Sequence, residues 1–197
     1  MSEAVAARIG PGTLVAVVGP SGAGKDTLIA LARAECTDNS RIVFPRRVIT
    51  RASSIAEEHD CVSPAEFEAA RSRGHYAFSW DAHGLKYALP AEIDADLSAG
   101  RTVICNVSRA VVGELRERYA KVVVVLVTAP KEILIARLAG RGREDDRGMA
   151  VRLERALADD FSPDVVIENV GDPQIGAARL VEVLREEAAV RPALGRV

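Results

Sequence analysis

Aromatic residues are scarce in this chain, at 4% of 197 residues, which leaves little material for the base-stacking platforms that bind single-stranded nucleic acids. A basic excess is also missing. The formal net charge is −2, whereas non-specific nucleic-acid binding rests on clustered positive charge. No apolar run approaches the roughly 18 residues of a membrane-spanning helix. Met1 to Gly12 has alanines but no apolar signal core, so neither a membrane partner nor export is expected. Cys36, Cys61 and Cys105 are odd in number, widely spaced and without metal-ligand spacing; they fit reduced thiols in a cytoplasmic protein. Internal repeats and low-complexity segments are absent. What the chain does have is 48% hydrophobic content, enough for one sizeable core.

One stretch organises the rest: Gly19-Pro20-Ser21-Gly22-Ala23-Gly24-Lys25-Asp26-Thr27. Before it runs Thr13 to Val18, apolar on both faces; after it comes Leu28 to Arg33, rich in helix formers. Strand, glycine-rich turn and helix form the setting of a phosphate-binding loop, and Gly19, Gly24 and Lys25 meet its G-x-x-x-x-G-K spacing. Glycines let backbone N–H groups face a polyphosphate with no Cβ in the way. The helix adds the positive end of its dipole, and Lys25 adds a mobile charge for the β and γ phosphates. The residue after the lysine departs from the motif. A Ser or Thr hydroxyl would join the Mg²⁺ shell there, and this chain has Asp26. Its carboxylate is a hard-cation ligand, so Asp26 is a candidate metal contact; the alternative is a purely electrostatic role at the helix start.

Further along, Met1 to Pro11 reads as a mobile tail and Thr37 to Ser40 as a turn. Ile42 to Thr50 reads as one strand carrying Arg46 and Arg47, with Arg51 at its end, and 52–60 as a loop. Ser63-Pro64-Ala65-Glu66 has the signature of a capped helix start, with the helix ending at Gly74. Tyr76 to Trp80 and Leu85 to Leu89 make a hairpin pattern. Long apolar strands resume with Thr102 to Val107. Ser108 is placed to cap a helix from Ala110 to Tyr119, Lys121 to Val127 reads as a strand covered on both faces, and 131–139 is helical. Asp164 to Glu168 is a last strand, and Asp172-Pro173 opens a final helix. Strands alternating with helices predict an α/β fold with a mostly parallel sheet. The region 36–99 reads as an insertion between the first and second core strands. Ligands then belong beyond the carboxyl ends of the strands.

Arginines recur between 137 and 155, among glycines at 140, 142 and 148. A solvated, salt-bridged helix face is one reading. Beside a phosphate loop the other is a lid, about 137–152, whose Arg137, Arg141, Arg143 and Arg152 close over a transferring phosphoryl group and spread its charge. Lys25 and this arginine pool are the candidate catalytic residues.

Over residues 12–185 the chain resembles the guanylate-kinase-like branch of P-loop small-molecule kinases, as a single domain. The resemblance is carried by GPSGAGK at 19–25, Thr50-Arg51, the SPAEF helix start, HGLKY at 83–87 and RLAGRGR at 137–143. Within that branch, GKD at 24–26 and ITR at 49–51 resemble the ribose 1,5-bisphosphate phosphokinase family. That resemblance implies ATP with Mg²⁺ as donor and a small phosphorylated sugar as acceptor. The implied product is 5-phosphoribosyl diphosphate, in phosphonate breakdown.

Matched against guanylate kinase, Ser79 stands for a Glu, Leu89 for a Thr, and Ile104 and Asn106 for the carboxylates of a D-I-D strand end. The contacts that read a guanine edge are thus largely gone, and a site without its hydrogen-bond partner loses discrimination. Arg47 replaces a Ser, and a guanidinium suits a second phosphate. By this resemblance Arg51 and Tyr87 hold an acceptor phosphate and Arg47 adds a contact, the alternative for the arginines being surface charge on an edge strand; Asn106 and Arg109 reach ribose hydroxyls or serve only the turn. A further family arginine is Ser54 here, which weakens part of that grip. The competing readings are a guanylate or other nucleoside monophosphate kinase, and a non-catalytic binding module on the same fold.

Overall fold

The computed structural model describes residues 7–51, 59–82, 84–139 and 162–190. The strand before the phosphate loop, β1 (Ile9–Val18), is the middle of a five-stranded sheet. In spatial order that sheet holds β2 (Ile42–Val43), β7 (Thr102–Asn106), β1, β8 (Tyr119–Thr128) and β9 (Val165–Glu168). Every pairing in it is parallel, as the alternation of strands and helices predicts.

Side chains of β1 alternate between two buried layers, because successive residues of a strand face opposite sides. Val15 and Val17 join Leu28 and Ala32 of α1 (Lys25–Glu35), Leu134 of α5 (Lys131–Ala139), and Leu180 and Leu184 of α6 (Pro173–Ala189). Leu14, Ala16 and Val18 join Ile93 and Leu97 of α3 (Glu92–Ser98), with Val112 and Leu115 of α4 (Val112–Arg118). A sheet covered on both faces is a firm platform, and it carries the phosphate loop at its carboxyl edge.

A second sheet stands beside the first, in the order β4 (His59–Cys61), β3 (Arg47–Ile49), β6 (Leu85–Pro90), β5 (Tyr76–Ala82). Strands β5 and β6 form the expected antiparallel hairpin. Under this sheet Phe67 of α2 (Pro64–Ser72) packs with Val48 and Ala88. The start of α2 is as the sequence indicates: Glu66 N donates to Ser63 Oγ at 3.2 Å, and Ser63 N donates to Glu66 Oε2 at 2.8 Å.

Four sequence expectations change. The piece 42–50 is not one strand, since Pro45 interrupts it. Proline offers no N–H to a ladder, and the chain leaves the parallel sheet after Val43 and enters the second sheet at Arg47. Residues 59–61 are not loop: they pair in parallel with Arg47 to Ile49, a three-residue strand too short for a period to show. The expected tail ends earlier, because Ile9 already pairs with Tyr119. The helix expected over 110–119 begins with a 3₁₀ turn at Arg109–Val111, and Tyr119 opens β8. The second sheet spans Arg47 to Pro90, while β2 and α3 on either side of it belong to the first.

Candidate active site

The phosphate loop closes tightly on its neighbours. Gly19 has φ +146°, and a Cβ there would lie 2.0 Å from Val127 O. Gly24, φ +89°, leads into α1, and a Cβ there would lie 2.4 Å from Asn169 Nδ2. Neither position admits a side chain, so the motif glycines are required by packing as well as by conformation. Lys25 Nζ donates to Gly19 O at 2.9 Å and to Pro20 O at 3.0 Å, so the ammonium lies over its own loop. Ser21, Asp26 and Thr27 are exposed, and Gly22 and Ala23 buried.

Two elements brace the loop from behind. Arg137, on α5, donates from Nη1 to Gly22 O at 3.5 Å and from Nη2 to Asn169 O at 3.0 Å. Asn169 follows β9, is 3% exposed, and donates from Nδ2 to Ala23 O at 2.7 Å. Sequence reading missed Asn169. The available signal was an amide at the carboxyl end of an apolar strand, on the edge where ligands bind. Its Oδ1 is buried with no donor. Arg141, Arg143 and Arg152 of the expected lid lie outside the described residues, as does His83.

Facing the loop is the carboxyl end of β7, the neighbour of β1, with Val17 opposite Asn106. Asn106 Nδ2 donates to Asp26 Oδ1 at 2.6 Å. The side chain expected on ribose hydroxyls is therefore engaged with the phosphate loop. Arg109 is half-buried in the turn that follows.

Arg47 joins the two sheets. Its Nη1 donates to Asn106 O at 3.2 Å, and its guanidinium lies 5.3 Å from the centroid of the Tyr87 ring. That ring stacks on Trp80, with centroids 5.4 Å apart. Arg47 Nε is buried and meets no acceptor among the described residues, an unusual cost for a charged group. Arg51 stands just past β3, half-buried. The structure thus gathers Arg47, Tyr87 and Asn106 by direct contact. Beneath them Cys105 is fully enclosed. Burial pushes its thiol up to about 12 against the opposing influence of Arg47, so it stays protonated and is packing rather than nucleophile.

Leu89 is 1% exposed within the core that also holds Leu14 and Ile93. A side chain so enclosed cannot touch a base. Magnesium fits the loop by donor chemistry. Asp26 is exposed, and its Oδ1 accepts from Asn106 Nδ2; no cluster of three His, Cys, Asp or Glu side chains occurs among the described residues. One carboxylate plus phosphates and water is a common Mg²⁺ environment.

Comparison with known proteins agrees with this geometry. The family model described as AAA domain matches residues 15–157. The protein named Ribose 1,5-bisphosphate phosphokinase PhnN from Bradyrhizobium diazoefficiens is 51% identical over 189 residues, 95% of this chain and 96% of the relative. Its namesake from Rhodopseudomonas palustris is 51% identical over 185 residues, 94% of each chain. Among solved structures, guanylate kinase from Anaplasma phagocytophilum aligns with a TM-score of 0.65 at 22% identity, over 91% of this chain and 87% of that one. That likeness is one of fold.

Proposed function

The chain belongs to the AAA-domain family and to the ribose 1,5-bisphosphate phosphokinases, and from that premise we propose that it transfers the γ-phosphoryl group of ATP to ribose 1,5-bisphosphate, giving 5-phosphoribosyl diphosphate. The observation that carries the acceptor assignment is Arg47. A guanidinium held on Tyr87 and Asn106 O, with a buried Nε lacking an acceptor, suits an anionic oxygen. Leu89 is locked in the core and Asn106 spends an amide hydrogen on Asp26, so neither supplies the hydroxyl or carboxylate that stands there in guanylate kinase.

In this reading the loop amides of residues 19–27 hold the triphosphate, and Lys25 leaves Gly19 O and Pro20 O for the β and γ oxygens. Asp26 would hold Mg²⁺, which neutralises phosphate charge when bound. Arg47, Arg51 and Tyr87 hold the acceptor, with Arg109 at the turn beside it. A terminal oxygen of the acceptor's 1-phosphate attacks the γ-phosphorus in line. The bond from γ-phosphorus to the bridging oxygen breaks, and ADP leaves with that electron pair. Phosphate oxygens are already ionised at neutral pH, so no general base is required; positioning and electrostatics supply the rate. Arg141, Arg143 and Arg152 form a lid over the transferring group, with Arg137 bracing the loop at the lid's root. The second sheet, Arg47 to Pro90, serves as the acceptor arm of a single domain spanning 12–185.

The test is a screen of ribose 1,5-bisphosphate, GMP and other monophosphates, reading ADP release and identifying product by mass. Turnover of the sugar bisphosphate is expected. Brisk turnover of GMP with the sugar ignored would overturn the assignment. Tight ATP binding with no acceptor turned over would point to a binding module.

A further inference from the structure

P-loop enzymes commonly hold Mg²⁺ through a hydroxyl from the residue after the loop lysine and an aspartate from a second strand. This chain departs at both places. Asp26 stands where the hydroxyl is usual, and an asparagine, Asn106, closes the strand beside β1. Either change alone would alter the site. A lone Thr→Asp change would set two carboxylates against each other, and a lone Asp→Asn change would leave no carboxylate at all. In the structure the two altered residues touch: Asn106 Nδ2 donates to Asp26 Oδ1 at 2.6 Å.

We infer that the two positions have exchanged roles, with the carboxylate moved onto the loop and the hydrogen-bond donor moved onto the strand, so that Asn106 is the positioning residue that aims Asp26 at the nucleotide-bound Mg²⁺. The exchange preserves one carboxylate, one donor and one negative charge in contact. Asp26 itself stands on the exposed side of the loop. Asn106 is itself held at its backbone, where its carbonyl accepts from Arg47 Nη1 at 3.2 Å, and by strand pairing opposite Val17. A donor fixed at both ends can orient a mobile carboxylate on the first turn of a helix. Such outer partners are commonly worth about 10- to 100-fold in metal affinity.

This inference rests on the kinase reading, and its decisive measurement is binding rather than turnover. Calorimetric titration with ATP, in Mg²⁺ and in EDTA, gives the factor by which the metal tightens nucleotide binding. In Asp26→Thr that factor should fall about 10-fold or more, and in Asn106→Ala by about 10-fold, as for lost ligands and their outer partners. The double variant Asp26→Thr/Asn106→Asp restores the usual arrangement and should return within about 3-fold of the parent, a residue of the non-additivity expected for touching groups. Thermal unfolding without metal or nucleotide checks that each variant is folded; should the double variant not fold, Asp26→Ser/Asn106→Asp takes its place. Failure of Asn106→Asp to rescue the Asp26 variant would overturn the exchange. So would an Asp26→Thr chain that keeps its full Mg²⁺ dependence. The rescue pattern seen in an enzyme that ignores ribose 1,5-bisphosphate would uphold the exchange and overturn the acceptor assignment.

Discussion

The two sheets of this molecule are built on opposite principles. The parallel sheet has β1 and β8 of ten residues each, packed on both faces by helices. The second sheet has β3 and β4 of three residues each; one face covers Val48, Phe67 and Ala88, while Trp80 and Leu89 reach the larger core. The first holds the phosphate loop, which must keep its amides convergent on any nucleotide. The second carries Arg47 and Tyr87, with Arg51 just past β3, and the two guanidinium charges need a cleft and not a core. On the proposed function, the deeper half holds the donor and the other half the acceptor. The lesson is that burial was concentrated where geometry must not vary.

The largest expected effect breaks the donor half. Lys25→Ala should lower kcat by about 100- to 1,000-fold, the scale for losing one preorganised charge at developing negative charge, with the melting temperature little changed. Steady-state ADP release and a thermal melt check both. Next comes the acceptor half. Arg47→Ala should raise KM for ribose 1,5-bisphosphate by about 10- to 100-fold, from a charged hydrogen bond of about 1.5–3 kcal/mol. ATP affinity should stay near that of the parent, and Arg47→Lys should recover only part because the planar fork is lost. A general loss of affinity for both substrates would erase the contrast between the sheets.

Phe67→Ala sharpens the comparison through packing. A buried aromatic truncation costs about 3–5 kcal/mol. Because Phe67 sits under the second sheet, acceptor KM should suffer more than ATP binding; titration of each substrate separately decides it. Smaller again is the helix cap. Ser63→Ala should cost about 1 kcal/mol, read from urea midpoints. Smallest is the pH effect of Glu66, whose carboxyl the Ser63 hydroxyl and then the Ser63 backbone N–H hold below its ordinary value. A depressed carboxyl contributes stability that is present above its unfolded pKa and lost as pH falls through the folded one. Urea midpoints between neutral and strongly acid pH should therefore fall slightly more for the parent than for Glu66→Gln.

Local chemistry was legible wherever a residue's role depends on its near neighbours in sequence. The loop at 19–27, the capping box at Ser63 and Glu66, the hairpin at 76–90 and the strand at 121–127 all stand close to where the sequence places them. The short strands at 42–43 and 59–61 were not legible, since two or three residues show no period and only their partners define them. Asn169 was invisible for a similar reason: nothing near it announces that its amide meets Ala23 O, 146 residues away. Asn106 could be singled out from the sequence as a candidate, but its partner could not. The sequence places it on ribose, while the structure places it on Asp26.

By itself, then, the sequence determined the parallel α/β framework and the phosphate loop, because hydrophobic period and glycine spacing are local properties. Only the tertiary structure decided that Asp26 meets Asn106, that Arg47 bridges two sheets, and that Arg137 and Asn169 brace the loop. Those pairings join positions far apart in the chain, and the packing of β1 between β7 and β8 is what brings them within hydrogen-bonding reach.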